Sequence, residues 1–149
     1  MASLLALTVW QPWASLIAWP LKPVENRTWR APWVLGKRIA IHAGNKFDED
    51  AALHLSVMPC PVPEIVQLSR KTKGAIVCTA VVDRFVNRAD VETNLHEEFA
   101  LTSYFTWFSG PVGWVLRDVQ KFDPVPCRGA QGLWTVPPDV LARIPEHAR

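Results

Sequence analysis

The sequence predicts an α+β fold, mainly β: a small barrel of short strands with a few flanking helices. Three observations predict it. Ala75 to Val86 is a long run rich in β-branched residues, Lys37 to Ala43 alternates in character, and thirteen prolines break the chain too often for long helices. With 149 residues, 49% of them hydrophobic and 20% charged, the chain has the size and balance of one packed domain spanning 1–149.

Taken in order, Leu4 to Val9 is an apolar run that reads as a core strand. Pro12 suits the first turn of a helix, on which Trp13, Leu16 and Ile17 share a face and Trp13 reads as core. Pro20 and Pro23 end it, so Lys22 to Glu25 form a loop or tight connection, and Asn26 to Trp29 begin a strand. In Lys37 to Ala43, Ile39, Ile41 and Ala43 face one way, and Arg38, Ala40 and His42 the other. Phe47 to Val57 reads as a helix with Asp48, Glu49 and Asp50 at its positive end. Met58 to Pro63 is a stiff connector before a short helix from Glu64 to Lys71. Residues 87–111 read as irregular or weakly helical. Val112 to Arg117 and Gln120 to Val125 look like the arms of a hairpin, Leu133 to Val136 like a strand, and Pro138 to Ile144 like a closing helix.

Net charge is only +2, which excludes neither a nucleic acid nor an ordinary metabolite as partner. Its distribution is uneven. Residues 21–47 hold six cations against Glu25 alone, whereas residues 89–116 hold four acids and no Lys or Arg. Cys60, Cys78 and Cys127 are odd in number and far apart, which predicts free thiols in a reducing compartment, hence a cytoplasmic protein, and no zinc ribbon. The uncharged first 21 residues lack the positive start of a signal peptide, and Thr8, Gln11, Pro12 and Ser15 interrupt them as a membrane span. No membrane association is expected.

The run Leu7-Thr8-Val9-Trp10-Gln11-Pro12-Trp13-Ala14, followed by Lys22-Pro23-Val24-Glu25-Asn26-Arg27-Thr28-Trp29 and Ile41-His42-Ala43, resembles the opening of ASCH-domain proteins of the PUA-like superfamily. That family carries a G-x-K-x-x-E-x-R motif, onto which Lys22, Glu25 and Arg27 fall; the glycine position is Pro20 here. The segments 107–114 and 126–134 are similar to closing segments of many members. The resemblance implies a PUA-like β-barrel with the motif lining a cleft between barrel and helix. It also implies a role in RNA binding, single-strand ribonuclease activity or removal of acetyl from acetylcytidine. Members with that last activity carry threonine where this chain has Glu25.

The residues themselves suit such chemistry. Two cations and one acid within six positions can lower a lysine pKa, making Lys22 a candidate base or nucleophile with Glu25 as its proton partner. Arg27 offers a planar fork for a phosphate or a base edge. An ion pair that merely pins a loop is the competing reading. Trp10 and Trp29 are candidate stacking surfaces, Gln11 a candidate reader of a base edge, and His42 and Arg128 further candidate contacts. The four histidines share no metal spacing and no cofactor is expected; a divalent metal enters only if the chain is a nuclease whose substrate phosphate supplies ligands. The expected partner is therefore single-stranded RNA or a nucleoside in a basic, Trp-lined cleft. The alternatives are a hydrolase acting on those ligands and a protein-interaction domain whose tryptophans bury a partner.

Overall fold

The strands make one sheet, set out in a computed structural model that describes residues 3–93 and 104–149. The strands are β1 (Leu5–Gln11), β2 (Val24–Arg27), β3 (Arg38–Phe47), β4 (Ala75–Val86), β5 (Val112–Pro126) and β6 (Leu133–Thr135). They pair in one sheet of order β2-β5-β4-β3-β1-β6, in which only β1 and β3 run parallel. The mixed, mainly strand architecture with flanking helices is the one expected. The ladder is open, because β2 and β6 do not pair with each other.

The alternation in β3 sorts its side chains onto two cores. Ile39, Ile41 and Ala43 join the larger cluster around Trp114, Leu7 and Ile17, while Ala40 joins a second cluster with Ile76, Phe122 and the C-terminal Ile144 and Ala148. Both faces of β3 are therefore covered, and its polar members must find partners inside the protein. A third cluster joins α1 (Trp13–Ala18), α2 (Glu49–Leu55) and α3 (Val62–Ser69) through Leu16, Leu55, Ile65 and Trp107. Asp48 caps α2, its Oδ1 accepting from Ala51 N at 2.9 Å. The helix α3 starts two residues earlier than the connector reading allows. Pro61 and Pro63 stand at its cap and first turn, where a missing N–H costs nothing.

The hairpin expected from 112–117 and 120–125 is not formed. Val112–Pro126 is a single strand that pairs along β4, with a register shift between Thr79 and Val81 that places one extra residue on β5. A two-residue hairpin turn needs positive φ at one or both centres, usually from Asn or Gly. Here only Asp118 adopts it, at φ 50°, and the β-branched Val119 does not. The irregularity is thus absorbed as a bulge, fastened by Arg38, which pairs with the Asp118 carboxylate and donates to its carbonyl oxygen at 2.9 Å.

β6 is anchored by a buried chain of hydrogen bonds. Trp134 Nε1 donates to Thr8 Oγ1 (3.1 Å), whose hydroxyl lies 3.3 Å from His42 Nδ1, and His42 Nε2 lies 2.6 Å from Cys127 O. A carbonyl only accepts, so Nε2 carries a proton, and in the neutral ring Nδ1 is left to receive the Thr8 hydroxyl. Burial holds the His42 pKa below its ordinary value. Over this ring the chain passes at Gly129, where an added Cβ would lie 2.6–2.7 Å from His42 and Thr8 atoms. Cys60, Cys78 and Cys127 are free thiols, as expected. Among the described residues no helix is long and apolar enough to cross a membrane. His96, Glu97 and Glu98 lie outside the described residues.

Two outcomes follow from the His42 chain. Gly129→Ala should destabilise the protein by about 1–3 kcal/mol in urea unfolding, because the backbone or the imidazole must shift. Since the folded His42 pKa is depressed, its stability contribution is fully present above about pH 6.5, the unfolded value. It declines as pH falls towards the folded pKa. Unfolding free energies measured from pH 7 to 5 should therefore slope less in His42→Gln than in the wild type.

Candidate functional site

A cleft of about 780 Å³ opens between α2, the junction of β1 with α1, β2, and the segment at 106–109. Its foot is built by a local turn. After α1 the N–H groups of Leu21 and Lys22 both donate to Leu16 O at 3.0 Å, which folds the chain back without a glycine at position 20. This turn directs the Lys22 side chain inward, where it is 3% exposed. Its ammonium donates to Val24 O (2.5 Å) and Glu25 Oε1 (3.2 Å), and lies 5.3 Å from the Trp13 ring centroid.

Glu25, itself 7% exposed, uses both carboxylate oxygens. Oε1 accepts from Lys22 and from Asn26 N (3.2 Å), while Oε2 lies 3.2 Å from Arg27 Nη2. Arg27 Nη2 also donates to Thr8 O on β1 at 2.5 Å. Since β6 covers β1 only over Leu5–Leu7, this guanidinium spans the opening that the backbone ladder leaves. Arg27 Nε is buried without a hydrogen-bond partner among the described residues. Desolvation pushes the Lys22 pKa below its ordinary value; Glu25 opposes the shift and Arg27 adds to it.

The walls are aromatic. Trp13 meets Trp107 edge to face at 6.4 Å and presents its indole N–H to Asp48 Oδ2 at 3.4 Å. Trp10 stands at the rim, 49% exposed. Asn26 fixes the opposite wall: its Nδ2 donates to Trp107 O (3.0 Å), and its Oδ1 accepts from Ser109 N and Gly110 N. The α2 wall carries Asp48, Asp50 and His54, whose Nδ1 lies 2.8 Å from Asp50 O.

Of the residues singled out from sequence, Lys22, Glu25, Arg27 and Trp10 meet in this cleft. The others do not line it. Gln11 is fully buried and spends its amide on Ser15 and Thr72 O. Trp29 packs edge-on against Trp114 at 5.0 Å and accepts that indole's N–H at its carbonyl. His42 serves the β6 anchor, and Arg128 is exposed on the loop beyond it. Trp13, read as core, does pack against two of the hydrophobic clusters, and it also lines the cleft. Asn26, Asp48, Asp50 and His54 went unnoticed as lining residues, and only the folding of α2 against β2 brings them there.

The basic character expected of the cleft is corrected by its lining. Lys22 and Arg27 stand against Glu25, Asp48 and Asp50, two cations to three carboxylates. Two of the three acids at the N-terminus of α2, Asp48 and Asp50, line the cleft, while most of the excess cations of 21–47 do not. Among the described residues no group of three or more His, Cys, Asp or Glu side chains is placed to hold a metal ion.

The sequence profile of the ASCH domain matches residues 7–126. Among solved structures, the chain is similar to the crystal structure of ASCH from Zymomonas mobilis, with 19% identity, a TM-score of 0.50, and 93% of this chain and 90% of that one covered. A serine-to-alanine variant of the Zymomonas mobilis protein gives 20% identity and a TM-score of 0.51, over 94% of this chain and 92% of the other. At such identity the likeness speaks for the fold. No curated protein matches the chain.

Removing the central carboxylate leaves two cations facing each other in a desolvated site. Glu25→Ala should cost about 3–5 kcal/mol of stability. Lys22→Met, which leaves the Glu25–Arg27 pair intact and fills similar volume, should cost less. Parallel denaturant titrations of the two variants check the order.

Proposed function

The chain belongs to the ASCH domain family, and from that premise we propose that its cleft holds one unstacked nucleobase, presented as a nucleoside or within single-stranded RNA. The observation that carries this reading is the buried Lys22–Glu25–Arg27 group at the foot of a cleft walled by indoles. A flat ring laid against Trp13 or Trp10 gains about 1–3 kcal/mol of stacking. Lys22 has three N–H donors and gives two of them to protein oxygens, so one is left for a base carbonyl. The Asp50 carboxylate on the facing wall suits an exocyclic amine. The surplus of carboxylates in the lining favours a neutral base over a phosphodiester inside the cleft, so a strand's phosphates would stay outside it.

One observation favours a second reading, hydrolysis of an acyl amide on the bound base. Burial lowers the Lys22 pKa, so the neutral amine is more available than in a free lysine. That amine would take a proton from a water whose oxygen adds to the acyl carbon, then pass the proton to the departing amine of the base. Glu25 Oε1, at 3.2 Å, would hold the ammonium formed in between. Because the working form is the unprotonated amine, turnover should rise with pH and level off below pH 10.5, the ordinary lysine value.

A panel of modified and unmodified nucleosides, scored by calorimetry for binding and by chromatography for turnover, tests both readings. Trp13→Ala should weaken binding by roughly 5- to 150-fold, the equivalent of 1–3 kcal/mol. Lys22→Met should weaken it too and abolish any turnover of acetylcytidine, while each variant keeps a cooperative melt. Affinities that neither substitution alters would refute the cleft as the binding site.

A further inference from the structure

A second concavity, of about 300 Å³, lies against the other end of α1, lined among others by Ser15, Trp19, Lys71, Thr72, Lys121 and Phe122. Its charge is the reverse of the cleft's: Lys71 and Lys121 line it, and no carboxylate does. Trp19, which closes α1, is 44% exposed, with Lys121 Nζ 4.5 Å from its ring centroid. Neither lysine has a carboxylate within salt-bridge distance among the described residues. At the floor, the buried Ser15 hydroxyl accepts from Gln11 Nε2 at 2.8 Å, and its own O–H goes to no protein acceptor among the described residues.

Two ammonium groups without a carboxylate partner, an unspent hydroxyl donor and a half-exposed indole form a donor set for an anion carried next to a flat ring. We propose that this concavity is a phosphate-binding site for a nucleotide, with Lys71, Lys121 and Ser15 on the phosphate and Trp19 beside the attached nucleoside. The site lies outside the cleft and stands on its own residues. Its position relates it to the cleft all the same. Trp13 begins α1 and faces the cleft, Trp19 follows its end, and six residues of helix give about 9 Å of axis between them. At about 3.6 residues per turn, Ser15 and Trp19 stand on the side of α1 away from Trp13, so a strand engaging both sites would pass around the helix, with phosphates at the lysines and a base among the indoles.

The test compares four probes on the full chain: a single-stranded RNA pentamer, a nucleoside 5′-monophosphate, the same nucleoside without phosphate, and inorganic phosphate. In the wild type, inorganic phosphate should shift the amide resonances of Lys71 and Lys121 and the indole N–H of Trp19. The double variant K71A/K121A should weaken the pentamer at least tenfold and flatten its log–log salt dependence by about 0.7 for each phosphate no longer neutralised. Nucleoside affinity and Tm should stay where they were, and K71R/K121R should restore pentamer binding. An equal loss for the monophosphate assigns the pocket to a free nucleotide; a loss confined to the pentamer assigns it to a strand. Pentamer and monophosphate affinities both unchanged in K71A/K121A overturn the proposal, as does a wild type that binds neither. A cleft variant such as Trp13→Ala that still loses nucleoside affinity would then leave the cleft reading standing without this one.

Discussion

The Glu25 carboxylate is the interaction on which the rest of the structure depends. It sits on β2, buried, with Lys22 on one oxygen and Arg27 on the other. Two cations drawn out of water this close together repel each other and lose hydration. The shared carboxylate is what allows both to be there. Its two partners serve different ends. Lys22 forms the foot of the cleft, and Arg27 reaches Thr8 O across the opening of the sheet. A single side chain therefore contacts both the foot of the cleft and the guanidinium that bridges β2 to β1.

How much of this is legible in the sequence depends on whether a residue's role is set by its neighbours in the chain. β4 is legible because twelve residues carry one continuous β-branched pattern. The faces of β3 are legible because alternation has only two outcomes. The spacing of Lys22, Glu25 and Arg27 puts them within reach of each other in any extended or turned backbone, so their meeting follows locally. Roles set by distant segments are not legible. His42 looks like a cleft residue beside a basic stretch until Thr8, Cys127 and Trp134 close around it from 34 to 92 positions away. The roles of Trp13 and Trp29 are widened for the same reason. Trp13 packs against the clusters of Ile17 and of Leu16, as a shared helical face implies, and also lines the cleft, while Trp29 finds Trp114, 85 positions on. The β5 bulge is hidden too, since Asp118 and Val119 resemble a turn until the unbroken β4 pairs along both halves.

Charge segregation is the least local property of all. The excess of cations over residues 21–47 invites the picture of a positive cleft, yet a segment's charge and a cavity's charge are different quantities. Of the cations in β3, Arg38 fastens the bulge, and Lys46 does not line the cleft but sits beside its rim, 5.1 Å from the Trp10 ring centroid. Asp48 and Asp50 line the cleft because the N-terminal end of α2, where carboxylates are favoured, forms one of its walls, whereas Glu49 pairs with Arg70.

This arrangement bears on what a ligand must look like. A phosphodiester entering the cleft would meet three carboxylates and gain at most one unpaired donor from Lys22, an unfavourable exchange for a strongly hydrated anion. A neutral ring entering the same space exchanges little hydration and meets two indoles. A nucleic acid strand carries both kinds of group on one chain, so the geometry that suits it is not a uniformly basic groove. It is an aromatic, weakly acidic hollow for the base with cations set apart from it. Helix α1 stands between those two environments, with Trp13 lining one and Trp19 and the Lys121 ammonium the other. The division of charge between the two sides of one short helix is thus a sharper feature than the total charge of the chain.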